Sequence, residues 1–181
     1  MSYSTVLGVI PDQRPIDLLE LSNGHGWSSS IWKRMVKANF GFDGYLFHGE
    51  GERHLDDLRK MIEKLPERQQ APLELTFDTG VVPFQAYEWA ADQLDEFEKR
   101  LPEDERYVNH VPAVAALLRS KPEAPLIGVH GTSVGENSFD PWDYEKDEPG
   151  NGIPLDQMYL LRQHRHWFPD YRKNWAPDAV G

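Results

Sequence analysis

The sequence predicts a single α/β or α+β domain of 181 residues, in which a small mixed sheet packs against about four to five helices. Three observations predict this class. Short apolar runs alternate with amphipathic helical stretches along the chain. A hydrophobic fraction of 39% with 12% aromatic residues is enough for a buried core. Glycine and proline separate most of these stretches and mark the turns between them.

Strands are predicted where short apolar runs are bounded by glycine, proline or other turn residues. Residues 4–10 and 126–130 are the clearest of these runs. Residues 73–77 alternate between apolar and polar side chains, as a half-buried strand does. Residues 44–47 predict a further short strand, whereas residues 16–21 fit either a strand or a helical turn.

Helices are predicted where apolar residues recur at the spacing of one helix face. The first of them, over residues 28–40, has Ser28 or Ser29 as its N-cap. Gly41 follows its last turn, where glycine commonly ends a helix. The second helix, over residues 52–65, is clearly amphipathic, and proline follows it directly. Its inward face is predicted to contain Leu55, Leu58, Ile62 and Leu65.

Three further helices are predicted over residues 84–101, 112–119 and 154–167. Residues 131–152, which precede the last of them, are rich in turn formers and show no periodicity. Structureless connections longer than about 12–15 residues are uncommon in compact domains and are usually functional or disordered. We expect this loop to be docked on the domain by its aromatic side chains, Phe139, Trp142 and Tyr144.

The net charge of −11 is concentrated in two segments. Residues 92–105 hold seven acids against two basic residues, and residues 136–148 hold six acids against one, so each segment contributes −5. A phosphate backbone would be repelled by such surfaces, which argues against direct binding of nucleic acid. A basic surface of a protein partner would instead be attracted.

The chain contains no cysteine, which excludes a disulfide framework, a thiol nucleophile and a thiolate metal site. Its first residues lack the basic and apolar regions of a signal peptide, and no stretch approaches the roughly 20 apolar residues of a membrane helix. We therefore expect a soluble cytoplasmic protein without a cofactor. One domain is expected over residues 1–181, with a short tail after the last helix.

The first functional hypothesis is a non-catalytic module that binds a basic protein partner through the acidic, aromatic loop and the aromatic residues near the C-terminus. An inhibitor or immunity-type protein that masks a basic surface would have this charge balance. Aromatic side chains would anchor the partner, and the acids would steer it. The predicted contact residues are Phe139, Asp140, Trp142, Asp143, Tyr144, Glu145 and Trp167.

The alternative hypothesis is a small hydrolase. Residues 131–135 read GTSVG, a GxSxG pattern directly after an apolar strand, and such a turn can expose Ser133 as a nucleophile. Asp140, Asp143, Asp147 or Asp156 would then be the acid, and His164 or His166 the base. The residues after the serine are turn formers, although a nucleophile elbow requires a helix there. The sequence therefore favours a non-catalytic role.

A metal site built from histidine and carboxylate side chains is a second form of the hydrolase hypothesis. His48 and His54 flank a glycine-rich turn, and acidic residues lie close to both in the sequence. His164 and His166 are separated by one residue and would point in different directions on a helix. Neither pair has a standard ligand spacing, so no native metal site is predicted.

Overall fold

The fold is described by a computed structural model for residues 3–22, 26–100, 110–131 and 136–161. These residues form one five-stranded mixed sheet, a two-stranded hairpin and five α-helices, which confirms the predicted α+β class. The elements in chain order are β1 (Tyr3–Val9), β2 (Ile16–Ser22), α1 (Ser28–Phe40), α2 (Glu50–Met61), α3 (Glu67–Glu74), β3 (Gly80–Pro83), α4 (Tyr87–Lys99), α5 (Val111–Arg119), β4 (Leu126–His130), β5 (Trp142–Asp143), β6 (Glu148–Pro149) and β7 (Tyr159–Leu160).

The main sheet has the strand order β2-β1-β4-β3-β7. Strands β2, β1, β4 and β3 pair antiparallel, whereas β7 lies parallel to β3 at the opposite edge. Because side chains alternate across a strand, successive apolar residues of β1 and β4 face opposite sides of the sheet. Val6, Ile127 and Val129 pack against the helices, while Leu7 and Leu126 pack under the chain beyond residue 136.

Both faces of the sheet are therefore covered, each by a different part of the chain. The helices cover one face. The other is covered by irregular chain from the stretch 136–161, which has no α-helix. Its contribution consists of Phe139, Ile153, Leu155 and Met158, and Leu160 of β7 packs against the same cluster. Burial on both faces explains why β1 and β4 are continuous apolar runs rather than alternating ones.

Helix α1 begins and ends close to the predicted residues. Its N-cap is Trp27, and no side chain caps the first turn, so the prediction that Ser28 or Ser29 is the N-cap is wrong. Both serines lie instead inside the first turn. The C-terminal prediction is confirmed, because Gly41 adopts φ +69° and donates its N–H to the carbonyl of Lys37. The left-handed conformation at this position favours glycine.

Helix α2 begins two residues before its predicted start and continues as a 3₁₀ turn over Ile62–Lys64. Its predicted inward face is confirmed, since Leu55, Leu58, Ile62 and Leu65 are all buried. Helices α4 and α5 also lie where they were predicted, although α4 is preceded by a 3₁₀ turn. None of the helices in the described ranges is long and apolar enough to cross a membrane.

The strand predicted over residues 73–77 is wrong. Leu73 lies in the last turn of helix α3, and the N–H of Leu75 bonds to the carbonyl of Ala71, as in a helical turn. Both leucines are buried, and a segment as short as five residues can bury alternate side chains in either structure. The strand in this region is β3, which follows at Gly80–Pro83.

Two further predictions are also wrong. Residues 44–47 form turns rather than a strand, and Tyr45 and Phe47 are exposed there. The predicted helix over 154–167 is replaced, up to residue 161, by a 3₁₀ turn at Leu155–Gln157 and by strand β7. Pairing with β3 competes with helix formation here, because it satisfies the backbone of Tyr159 and Leu161. Residues 162–167 lie outside the described part of the chain.

Candidate functional site

The acidic segment after β4 contains a hairpin made by β5 and β6, with Trp142 opposite Pro149 and Asp143 opposite Glu148. The turn between the strands spans residues 144–147, and Asp147 ends it with φ +56°. Aspartate and asparagine tolerate this conformation better than most residues. The outward-facing residues of this hairpin are called the hairpin surface: Trp142, Tyr144, Glu145, Asp147 and Glu148.

Asp143 stabilises the hairpin turn. Its Oδ1 accepts hydrogen bonds from the backbone N–H of Glu145 at 3.1 Å and of Lys146 at 3.2 Å. The ammonium of Lys146 lies 2.9 Å from Oδ2, and its hydrogen bond lowers the pKa of the Asp143 carboxyl. A carboxylate bound in this way fixes an Asx turn. Asp143 therefore shapes the hairpin and is engaged at both oxygens.

The hairpin is tied to the rest of the domain at several points. Phe139 is 1% exposed and packs into the second face of the sheet. Nε and Nη2 of Arg14 both donate to Oδ2 of Asp140 at 3.2 Å, which joins the segment to the β1–β2 turn. Oε1 of Glu136 accepts the backbone N–H of Trp142 at 2.9 Å. The contacts of Phe139 and Asp140 attach this segment to the rest of the domain, and the contact of Glu136 joins two parts of the segment itself.

The predicted contact residues thus separate into two groups. Phe139 is buried and has no face to offer a partner, so its assignment to a contact surface is corrected to that of an anchor. Asp140 and Asp143 are engaged within the domain. Trp142 is 41% exposed and Tyr144 is 80% exposed, and Glu145 lies beside them. Trp167 lies outside the described residues.

A cleft lies beside the hairpin, between the first turn of α1 and the carboxyl end of β4. Its polar end has a volume of about 340 Å³ and is lined by Ser28, Ser29, Thr76, Asp78, His130, Gly131, Glu136 and Ser138. Its aromatic end has a volume of about 470 Å³ and contains Trp32, Phe47, Leu55, Arg59, Ile62 and Phe77. The two ends are adjacent, because both are lined by Ser28, Ser29, Thr76 and Asp78.

Trp32 is the best-fixed wall of the cleft. Its indole Nε1 donates to Oγ1 of Thr76 at 2.8 Å, and Thr76 in turn donates to the carbonyl of Leu73 at 2.6 Å. The guanidinium of Arg59 lies over the Trp32 ring, 5.5 Å from its centroid. Arg59 is itself held by Asp56 at 3.0 Å. The ring is therefore oriented by polar contacts on its edge and on one face.

The residues proposed for a hydrolase are not assembled in the described parts of the chain. Ser133, His164 and His166 lie outside them, and the carboxylate of Asp143 is bound within the hairpin turn. The residues from 136 onward form turns rather than the helix that a nucleophile elbow requires. Gly131 and Glu136, which flank residues 132–135 in sequence, nevertheless both line the polar end of the cleft.

The histidine pair considered for a metal site is not arranged as ligands. His54 stacks on Phe40 at a centroid distance of 5.0 Å and lies 5.1 Å from Phe42. Its Nε2 is 3.7 Å from a carboxylate oxygen of Glu50. Over the described ranges no group of three histidine, aspartate or glutamate side chains is placed to hold a metal ion.

Comparisons with known proteins do not indicate a function, so the functional conclusion is based on the geometry described above. No family model matches the chain, and neither the curated proteins nor the solved structures give a significant match.

The sequence interpretation missed the cleft because its residues come from separate elements. In the sequence, Asp78 and His130 lie 52 residues apart, and no pattern indicates that they are neighbours in the fold. Antiparallel pairing of Val81 with Gly128 brings the start of β3 beside the end of β4, and so places Asp78 near His130. The sequence would indicate that Asp78 and His130 are neighbours only if β3 were predicted at residues 80–83 and paired with β4.

Proposed function

We propose that the chain is an acidic protein-interaction module that binds a basic protein partner through the hairpin surface. The observation that carries the proposal is the exposure of two large aromatic rings, Trp142 and Tyr144, on an anchored acidic hairpin. Aromatic residues are enriched among the side chains that contribute most to protein–protein affinity. An inhibitor or immunity-type protein that masks a basic surface in the cytoplasm is the form of module that we favour.

Charge supports the same proposal. Glu145, Asp147 and Glu148 are exposed around the two rings, and the only basic residue of the hairpin, Lys146, is paired with Asp143. The surface that faces a partner is therefore negative. Charges at the rim of an interface act mainly on the rate of association, because they steer the encounter.

Rigidity supports it as well. Ordering a flexible loop at an interface costs free energy that would otherwise appear as affinity. The contacts of Phe139, Asp140, Glu136 and Asp143 favour one arrangement of this hairpin, which would lower that cost.

The proposal is tested with paired aromatic variants. Trp142→Ala with Tyr144→Ala removes the exposed rings of the hairpin, and Tyr45→Ala with Phe47→Ala removes another pair of exposed rings elsewhere. We expect a basic protein to be captured from an extract by the wild-type chain and by the control variant, and lost from the hairpin variant. With that protein purified, dissociation from the hairpin variant should be about 30-fold faster or more, since anchor residues contribute about 2 kcal/mol or more.

Neutralisation of the hairpin acids should change the rate of association with the partner, not the rate of dissociation. Glu145→Gln, Asp147→Asn and Glu148→Gln together should slow association roughly tenfold at low salt, and less at physiological salt, because screening shortens the reach of exposed charges. Asn is chosen at 147 because it tolerates the positive φ. Asp17→Asn, Glu20→Gln and Glu52→Gln form the charge-matched control. A partner lost equally from the hairpin and control variants would contradict the proposal.

A small hydrolase with Ser133 as nucleophile is the second candidate function. The observation in its favour is that Gly131 and Glu136, on either side of residues 132–135, line the same polar cleft as His130 and Asp78. A histidine beside a carboxylate can supply the general base that such a serine needs. If this function is correct, a fluorophosphonate probe should label the folded protein and leave Ser133→Ala unlabelled. Wild-type protein that stays unlabelled would exclude it.

A further inference from the structure

The cleft beside α1 has a charge distribution that selects its ligand. Asp78 and Glu136 place two carboxylates at the polar end, and no lysine or arginine is among the described residues that line that end. The N-terminus of α1 opposes them with only about half a positive charge. The two carboxylates therefore outweigh the helix N-terminus and favour a cation over an anion at this end.

The aromatic end favours a planar apolar group, because its cation, Arg59, lies over the Trp32 ring and is paired with Asp56. Phe47 is 59% exposed, and a ring placed against it would remove apolar surface from water. Trp32 forms a wall whose orientation is already fixed by Thr76 and Arg59. A ligand entering here would not need to order this wall, so little conformational entropy is lost on binding.

We propose that the cleft binds a small organic amine that carries an aromatic ring. The ammonium lies between the carboxylates of Asp78 and Glu136, and the ring lies at the end formed by Trp32 and Phe47. The volumes of about 340 Å³ and 470 Å³ fall within the range of roughly 300–1,000 Å³ that is typical of small-molecule sites. This ligand site goes beyond the proposed binding of a protein partner and does not depend on it.

Other ligand classes fit the cleft less well. A carboxylate or phosphate would face Asp78 and Glu136 directly and would be repelled. A neutral aromatic molecule that covered the polar end would remove water from both carboxylates without replacing their hydrogen bonds, which is costly. An aliphatic amine would satisfy the acids but leave the aromatic end uncovered. The combination of ring and ammonium satisfies both ends.

Isothermal titration of the full-length chain at pH 7 tests this site with three probes. Tryptamine carries the ring and the ammonium, indole-3-propionate carries the ring with a carboxylate, and n-hexylamine carries the ammonium without a ring. We expect tryptamine to bind at least about tenfold more tightly than either of the others, because each of them lacks one of the two interactions.

Variants locate the bound probe. Asp78→Asn and Glu136→Gln should each weaken tryptamine binding by about tenfold, the loss expected for one charge-assisted hydrogen bond. Glutamine at 136 retains a carbonyl oxygen that can accept the N–H of Trp142. Phe47→Ala should weaken binding as well. Asp17→Asn and Tyr144→Ala, which change an exposed acid and an exposed ring outside the cleft, should leave it unchanged.

Three results would overturn the proposal. Equal binding of indole-3-propionate would show that the carboxylates do not select the ligand. No saturable tryptamine binding at millimolar concentration would show that the cleft is not a site for such amines. An equal loss in the Asp17 or Tyr144 variants would place the probe elsewhere on the surface. Because Tyr144→Ala impairs the hairpin surface alone, failure of partner binding and failure of amine binding are separable.

Discussion

Replacement of Phe139 with alanine is expected to lower the free energy of unfolding by about 3–5 kcal/mol, the range for truncation of a buried aromatic side chain. Phe139 is 1% exposed and packs in the apolar cluster on the second face of the sheet. Its loss opens a cavity beside β4 and removes the anchor of the segment that leads into the hairpin. Urea denaturation monitored by far-UV circular dichroism measures the change.

Trp142→Ala is the matched control for this variant. Trp142 lies three residues further along the same segment, but it is 41% exposed. Much of its surface is in water in the folded state, so its removal should cost about 1 kcal/mol or less. A loss of about 3 kcal/mol or more in Trp142→Ala would mean that this ring is packed for the fold, and the hairpin surface would lose its main support.

The contrast between these two aromatic residues shows what composition could not predict. The sequence predicts that Phe139, Trp142 and Tyr144 dock the segment after residue 136, because a long connection with three large rings would otherwise expose much apolar area. Only Phe139 is buried, whereas Trp142 and Tyr144 are exposed. The sequence does not indicate which ring is inside. That choice depends on the position of Gly128 in β4, which leaves space for Phe139 on the sheet face.

The continuous apolar runs of β1 and β4 indicate that both faces of the sheet are buried. A strand buried on one face alternates, whereas Val6 and Leu7 are consecutive and both buried. Such runs predict a sheet covered on both sides. Since the amphipathic helices cover one side, irregular chain had to cover the other, and the segment from residue 136 was the candidate with suitable side chains. The segment from residue 136 therefore covers one face of the sheet and also contains the hairpin surface.

The spacing of apolar residues gave the wrong secondary structure where pairing with a distant strand determines the fold. Residues 154–161 contain leucine and methionine at helix-like spacing, but the N–H groups of Tyr159 and Leu161 bond to the carbonyls of Thr79 and Val81. A helix over these residues would leave the carbonyls of Thr79 and Val81 without these two hydrogen bonds. The position of β3 was missed for a related reason: four residues are too few to show a period. With β3 misplaced, the neighbourhood of Asp78 and His130 was missed too.

Gly128→Ala is expected to destabilise the wild-type chain and to stabilise a chain that lacks the Phe139 ring. A Cβ at residue 128 would lie 2.4 Å from Cζ of Phe139, closer than van der Waals contact allows. The ring is buried and has little space to move, so the substitution should cost about 1–3 kcal/mol through overpacking. Without the ring, alanine in a strand should be favoured over glycine by about 0.5–1 kcal/mol.

The opposite signs predict a coupling energy of about 1.5–4 kcal/mol in a double-mutant cycle between residues 128 and 139. Phe139→Leu, which keeps a side chain in the space and retains more stability, provides a second background in which the cost of Gly128→Ala should fall without reversing. Gly131→Ala is the control, because its Cβ would meet nothing closer than 3.9 Å in Ser28. Its effect should be the same with and without the ring. An additive cycle at residues 128 and 139 would mean that Phe139 does not pack over β4, and the hairpin would then lack the anchor that fixes its orientation.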